Sequence, residues 1–318
     1  MSPSPQKQSH FHRISVVFLV VSIIYLFYEI YRFEGYVDLL TALNKNIVHN
    51  FIFLIAVILL LPLNWLFEAY KWKQICFHLE KFTLATALKA VLAGTSTGFI
   101  TPNRLGDIVG RMYFLNEDNR KAAISLAAVN SFSQNIAILL PGIPLALLFF
   151  MQQKTEIRSG IYLIVLSSFM LLFIIGIFIL PFASKRIKND KLLQYFSGLR
   201  NYSTKDIIFI TAWSELRFFI FSLQLFFLLR FFNVDLSFIQ AFTCIPVTYL
   251  LITFTPSFAF SEALIRGSWA VFVIGRFSEN SPGILMAGIG LWFINVILPV
   301  LIGNVMIAQK TGKRRSNR

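Results

Sequence analysis

The chain has 318 residues, of which 56% are hydrophobic, 16% aromatic and 14% charged. Soluble domains carry about 25% charged residues, so this chain has too few to coat a water-facing surface, which argues against a soluble enzyme, a disordered chain or a fibrous protein. The 29 Lys and Arg against 15 Asp and Glu give a formal charge of +14, which in a membrane protein reads as loop topology rather than as a nucleic-acid footprint.

In chain order, a short basic tail (1–13) precedes an apolar run, Ile14–Phe33. The run starts like a signal peptide, but no small-x-small cleavage site follows. Tyr28, Tyr31 and Arg32 instead form an interfacial belt, so the run reads as an uncleaved first span. Five further stretches reach the ~20 apolar residues that a bilayer demands. They are Asn50–Tyr70, Ala122–Met151, Ile161–Phe182, Ile207–Phe232 and Leu285–Ala308. Pro141 and Pro144 in the third span of the chain point to a kink or a tilt. Two other apolar regions, 84–115 and 238–276, are interrupted by polar and Pro-containing breaks. Unwound backbone is tolerated at membrane depth only inside protein or against a watery cavity, so both regions read as re-entrant helical hairpins.

Charge placement favours this topology. With both termini cytoplasmic and both hairpins re-entrant, 21 of the 29 cations fall on the cytoplasmic side, 7 fall outside, and Arg217 stays within a span. Lys71, Arg104 and Arg111 are counted among the 21. The segment from Lys185 to Lys205 reads as a solvated loop or as an amphipathic helix on anionic lipid at the cytoplasmic face.

The pattern span, span, hairpin, span then occurs twice, over 14–151 and 161–308, followed by a basic tail (309–318). Three crossings per unit give the units opposite orientation, an inverted-topology repeat. The expected fold is therefore an all-α polytopic integral membrane protein, one membrane domain of six transmembrane helices plus two hairpins, eight or nine helical segments in all.

The breaks match in chemistry. Thr101-Pro102 precedes Asp107 and Arg111, and Thr255-Pro256 precedes Glu262 and Arg266. Thr before Pro suits an N-cap and a first helical position, and a half-helix starting inside the membrane would turn free N–H groups toward an anion. Acid and arginine four apart share a helix face. They serve either as structural pairs or, because ionisable groups are costly in apolar surroundings, in substrate binding or coupling. Gly98 and Gly106 permit close backbone approach. The polar row Asn130, Ser131, Ser133, Gln134 and Asn135 lines a cavity or makes interhelical hydrogen bonds. Glu215 and Arg217, two apart, face different ways and look to other spans. Cys76 and Cys244 read as buried free thiols, the four histidines form no ligand spacing, and no cofactor or catalytic motif is present.

At these residues the sequence resembles a known family. Gly94–Leu115, through Thr101-Pro102-Asn103-Arg104-Leu105-Gly106-Asp107-Ile108-Val109-Gly110-Arg111, is similar to the Pro-x-Arg-x-Gly-[Asp/Glu]-x-x-Arg signature of the lysylphosphatidylglycerol synthase transmembrane-region family, the flippase-like domain proteins. Arg111 falls four after Asp107 rather than three. Pro256-Ser257 and Glu262 match the ends of a later Pro-Ser-Pro-Gly-Gly-x-Gly-x-x-Glu motif whose glycines are missing here, and Asn130–Asn135 stands where the family often has Glu-Arg-x-x-Asp. The resemblance implies a multi-spanning bacterial inner-membrane protein related to the lipid-translocating half of proteins that make and flip aminoacylated phosphatidylglycerol. With about 10 residues after the last span and no soluble synthase domain, the chain is expected not to aminoacylate lipid itself.

The leading expectation is translocation of a phospholipid or lipid-linked headgroup, without cofactor, metal or nucleic acid. Arg104, Arg111 and the half-helix N-termini would hold a phosphate, with Asp107, Glu262, Arg266, Asn130 and Gln134 completing the site. The alternative is a non-transporting accessory protein that supports a separate cytoplasmic biosynthetic enzyme. An intramembrane enzyme using Asp107 and Glu262 as a carboxylate pair is a third, weaker reading.

Overall fold

The computed structural model of the chain describes residues 36–99, 101, 104–152, 158–256 and 261–316, and all its regular elements are helices. The predicted span Ile14–Phe33 and Pro102 lie outside the described residues. Helix α1 (Tyr36–Ile75) is interrupted at Asn50, whose backbone is non-helical. The remainder, Asn50–Ile75, contains the predicted second span and runs five residues beyond its expected end. Among the described residues this stretch, Glu117–Met151, Thr204–Phe231 and Ser281–Gln309 are long and apolar enough to cross a membrane.

Two helix-break-helix units follow the same plan. In the first, α2 (Leu84–Phe99) is followed by α3 (Gly106–Met112). Helix α4 (Arg120–Gln152) then runs unbroken through Pro141 and Pro144, and α5 (Arg158–Arg186) contains the predicted span Ile161–Phe182. A short α6 (Asp190–Phe196) leads to α7 (Thr204–Phe231), which opens on a capping box of Ser203 and Asp206. The second unit is α8 (Phe238–Phe254), capped by Ser237 and Gln240, and α9 (Ser261–Ile274). Helices α10 (Ser281–Trp292) and α11 (Leu298–Ser316) join through a π-helical turn, Phe293–Ile297, into one long rod. The Lys185–Lys205 segment does not lie free of the bundle, because Leu199 and Tyr202 are buried while Leu192 and Tyr195 stay exposed.

Helices α1 and α7 pair antiparallel along their length, fixed at both ends. The Tyr202 hydroxyl, just before α7, donates to the Ile75 carbonyl at the end of α1. At the other end Asn50 Nδ2 donates to the carbonyls of Arg230 (3.3 Å) and Phe231 (3.1 Å). One apolar core gathers around α4, α7, α8 and α10, and a second around α1, α2, α4 and the start of α7. Cys76 and Cys244 are both buried and unbonded to each other.

Each helix-break-helix unit is closed at its base by one side chain. Before α2, Glu80 Oε2 accepts from the Asn116 backbone N (3.0 Å) and from Asn119 Nδ2 (2.9 Å), both after α3. After α9, Asn280 Nδ2 donates to the carbonyls of Phe232 (2.9 Å) and Asn233 (3.2 Å), both before α8. The first base lies near the Ile75 end of the α1–α7 pair and the second at its Asn50 end.

A buried ion-pair network between two helical hairpins

The first break forms because the chain can pack backbone against backbone there. A Cβ on Gly106 would come within 2.3 Å of the Thr97 carbonyl oxygen, and one on Gly110 within 2.4 Å of the Ala93 carbonyl oxygen. Only glycine permits that approach, so α3 folds back antiparallel along α2. Thr97 Oγ1 donates to the Gly106 carbonyl at 2.7 Å, and Thr101 Oγ1 accepts from Gly106 N at 2.7 Å. Thr101 thus satisfies the first N–H of the second half-helix from five residues upstream, but it is not the N-cap, because that helix begins at Gly106, after Leu105, rather than at Pro102. Thr255 differs from expectation. It closes the C-terminus of α8, donating to the Leu251 carbonyl and accepting from Trp269 Nε1 (both 2.8 Å), and so does not cap α9. Pro256 follows it, and α9 starts at Ser261.

The two breaks meet. Arg104 Nε donates to Glu262 Oε2 (3.2 Å) and Arg104 Nη2 to Glu262 Oε1 (2.9 Å) and Oε2 (2.7 Å). Arg104 does this from a left-handed backbone conformation, φ +57°, which costs a non-glycine residue on the order of 1–3 kcal/mol and persists only where surrounding contacts impose it. Glu262 also receives Arg266, Nη2 to Oε1 at 2.6 Å, and Asp107 receives Arg111, Nε to Oδ2 at 2.7 Å. Both i,i+4 pairs read from the sequence are therefore formed.

Behind the first hairpin lies a carboxylate that the sequence reading did not single out. Glu68, on α1, has a side chain 2% exposed and stands against three cations: Arg111 Nη2 at 2.8 Å, Lys71 Nζ at 3.0 Å and Arg217 Nη1 at 3.1 Å. The cytoplasmic charge count includes Lys71, but its side chain is fully buried, because α1 continues past Tyr70 and carries it into the bundle. It also donates to Ser214 Oγ at 3.2 Å. Arg111, likewise counted as cytoplasmic, is buried and lies over the Trp72 ring at 5.2 Å. Arg217 looks to another span as expected, whereas Oε1 of Glu215 is buried with no hydrogen-bond partner.

The polar row of α4 does both things expected of it. Asn130 Nδ2 donates to Glu68 Oε1 (3.1 Å), and Ser133 Oγ accepts from Ser214 Oγ (3.1 Å), both between helices. Gln134 Oε1 accepts from Arg217 Nη1 at 2.9 Å, and Gln134 lines a cavity. A chain of amides continues from there. Arg217 Nε donates to Asn64 Oδ1, Asn64 Nδ2 to Asn295 Oδ1, and Asn295 Nδ2 to Gln224 Oε1, each at 2.9 Å. These bonds tie α1 and α7 to the π-helical turn and give Asn64, Asn295 and Gln224 the partners that polar groups need in a low-dielectric interior.

The cavity holds about 210 Å³ between the hairpins. Arg104, Arg217, Arg266, Glu68 and Gln134 form its polar wall, and residues such as Ile138, Phe221, Ile252 and Val296 its apolar wall. Of the residues read from the sequence, Arg104, Arg266 and Gln134 reach the cavity. Asp107, Arg111, Glu262 and Asn130 stand behind it: Glu262 holds Arg104 and Arg266, while Arg111, itself paired with Asp107, and Asn130 hold the wall residue Glu68.

Long apolar helices carrying ion pairs buried among them define an integral membrane protein. The family model described as lysylphosphatidylglycerol synthase TM region matches residues 14–303, and the chain belongs to that family. Membership ties it to lipid metabolism or translocation. Comparison with curated proteins gave no match, and neither did comparison with solved structures.

Proposed function

We propose that the protein translocates a phospholipid or lipid-linked headgroup across a bacterial inner membrane, with both termini cytoplasmic. The observation that carries this reading is the cavity at the meeting point of the two helix-break-helix units. The units are tied at their bases to opposite ends of the α1–α7 pair, by Glu80 and Asn280. In a bilayer each would be a re-entrant hairpin entering from its own face, the arrangement of inverted repeats of three crossings each, with Ile14–Phe33 as the first of six spans. The cavity would then lie near the midplane, separated from either face by one hairpin. Breaking the Arg104–Glu262 contact on one side and remaking it would expose the cavity to alternate leaflets while the α1–α7 pair stays fixed.

The proposed role is movement rather than chemical conversion. Asp107 is paired with Arg111 and Glu262 with Arg104 and Arg266, and neither carboxylate lines the cavity, where a general acid or base would have to stand. The partners are membrane lipid, with anionic lipid at the cytoplasmic face, and an enzyme that makes the lipid.

The test is headgroup accessibility in reconstituted vesicles containing a fluorescent-headgroup lipid. Wild-type protein raises the fraction quenched by an impermeant reductant beyond the outer leaflet, and Arg104→Ala with Glu262→Ala lowers the rate by at least about tenfold. Protein-free vesicles and wild-type vesicles quenching alike would overturn the reading in favour of an accessory protein.

A further inference from the structure

We propose that the cavity takes an anionic, phosphate-bearing headgroup that carries no amine, with the acyl chains remaining outside; this rests on the lipid-handling role above and narrows its substrate.

Charge comes first. Five cations, Lys71, Arg104, Arg111, Arg217 and Arg266, are joined to three carboxylates, Glu68, Asp107 and Glu262. The network therefore carries a formal excess of two positive charges. Uncompensated charge away from water is costly, and an anion seated in the cavity completes the balance. At the wall itself the excess is the same, three arginines against Glu68.

Hydrogen-bond capacity points the same way. Arg104 and Arg266 each spend Nε and Nη2 on Glu262, and Arg217 spends Nε and Nη1 on Asn64 and Gln134. Among the described residues each guanidinium keeps one terminal nitrogen without an acceptor. Three further wall residues hold buried N–H donors with no partner: Trp65 Nε1, Gln134 Nε2 and Trp292 Nε1. The Gln134 amide cannot be reversed, because its oxygen is already turned to Arg217 and Lys71. A phosphate diester offers only acceptors, and charge-assisted bonds to guanidinium are the strong kind.

The carboxylates explain the exclusion of an amine. Glu68 faces Lys71, Arg111 and Arg217, Asp107 faces Arg111, and Glu262 faces two arginines. Among the described residues Glu68 is the one carboxylate in the cavity wall, and its cations already surround it, so an ammonium group would instead stand against guanidinium and be rejected by like charge. Size sets the last limit. The cavity's 210 Å³ is below the ~300–1,000 Å³ typical of sites that enclose a drug-sized ligand, enough for a phosphate with a small polyol but not for acyl chains.

The experiment uses the full chain in detergent micelles, with fluorescence of the wall tryptophans as the readout. The probes are dihexanoyl phosphatidylglycerol, dihexanoyl phosphatidylcholine, dihexanoyl phosphatidylethanolamine, glycerol 3-phosphate and inorganic phosphate. Phosphatidylglycerol is expected to bind at least about tenfold tighter than either amine-bearing lipid, the equivalent of one charge-assisted hydrogen bond. Competition by glycerol 3-phosphate at comparable concentration assigns the site to free phosphate esters as well, and its failure to compete assigns it to lipid. Arg104→Gln, and independently Gln134→Leu, should reduce the preference while the protein keeps its elution volume. Equal affinity for all three lipids, or a preference for an amine, overturns the assignment. An anionic preference without headgroup movement upholds the assignment and removes the translocation reading; movement of all headgroups alike does the reverse.

Discussion

Arg104 and Glu262 stand 158 residues apart in the chain and share a two-pronged ion pair, Nη2 to Oε2 at 2.7 Å and Nε to Oε2 at 3.2 Å. The pair is the point where the two hairpins touch through charge, and its two ends are not equivalent. The Glu262 side chain is 8% exposed and also holds Arg266, whereas that of Arg104 is 40% exposed. Glu262→Ala leaves two arginines facing each other in a buried site and is expected to cost about 3–5 kcal/mol. Arg104→Ala leaves Glu262 with Arg266 and relieves the left-handed backbone only if the loop can relax, so its cost should be about 1 kcal/mol. Denaturant unfolding in detergent checks the order, and equal costs for the two variants would show that the pair is not organised around Glu262.

Glu68 is a stronger case of the same asymmetry. Three cations depend on it, so Glu68→Ala should abolish the folded species in fluorescence-detected size exclusion. Lys71→Met should be tolerated better, because Glu68 retains Arg111 and Arg217 and the methionine fills the volume that the lysine stem leaves. If Lys71→Met were the more damaging of the two, the network would be organised around the lysine.

What the sequence revealed of this site follows from how local each relationship is. Asp107–Arg111 and Glu262–Arg266 were readable, because four residues along a helix bring side chains together whatever the rest of the fold does. Arg104–Glu262 was not, since nothing local says which distant carboxylate a break arginine meets. Glu68 and Lys71 went unremarked for a different reason. Ending the second span at Tyr70 assigned Lys71 to water, while the helix continues to Ile75. The signal was present nonetheless: Asn64, Glu68 and Lys71, spaced four and three, form one polar stripe on an otherwise apolar helix, the pattern of a functional face inside a membrane protein. Thr101-Pro102 and Thr255-Pro256 look alike in sequence, yet only Thr101 serves the second half-helix, since the trailing contacts, Gly106 N in one case and Trp269 in the other, differ.

The first hairpin should be intolerant of any side chain at its crossing points. A Cβ on Gly110 would meet Thr97 Oγ1 at 2.3 Å and backbone at 2.4 Å, and one on Gly303 would meet the Leu92 carbonyl at 2.1 Å. Backbone cannot swing aside as a side chain can, so Gly110→Ala and Gly303→Ala should each cost about 1–3 kcal/mol. Gly290→Ala is the control, its nearest neighbours being side-chain atoms at 4.0 Å, and should change thermal stability little. Equal tolerance at all three positions would mean that α2, α3 and α11 do not approach as closely as described.

The two hairpin bases should report from opposite sides of the membrane. Glu117 follows α3 and is half exposed, and Asp235 precedes α8 with its side chain 89% exposed. Neither joins the Glu68 or Glu262 clusters, so a cysteine at either position should leave the core intact. The native Cys76 and Cys244 are buried and should stay silent toward maleimide in folded protein, since an inaccessible thiol cannot present its thiolate. In sealed inside-out vesicles a membrane-impermeant maleimide should modify Glu117→Cys and leave Asp235→Cys untouched, and in right-side-out vesicles the reverse. The reason is that Glu80 ties the first base to the end of the α1–α7 pair near Ile75, and Asn280 ties the second to the end near Asn50. If one of the units crossed the bilayer completely, an odd number of spans would separate its two ends. Cysteines placed before and after it, at Lys81 and Glu117 for the first unit, would then label from opposite sides instead of together.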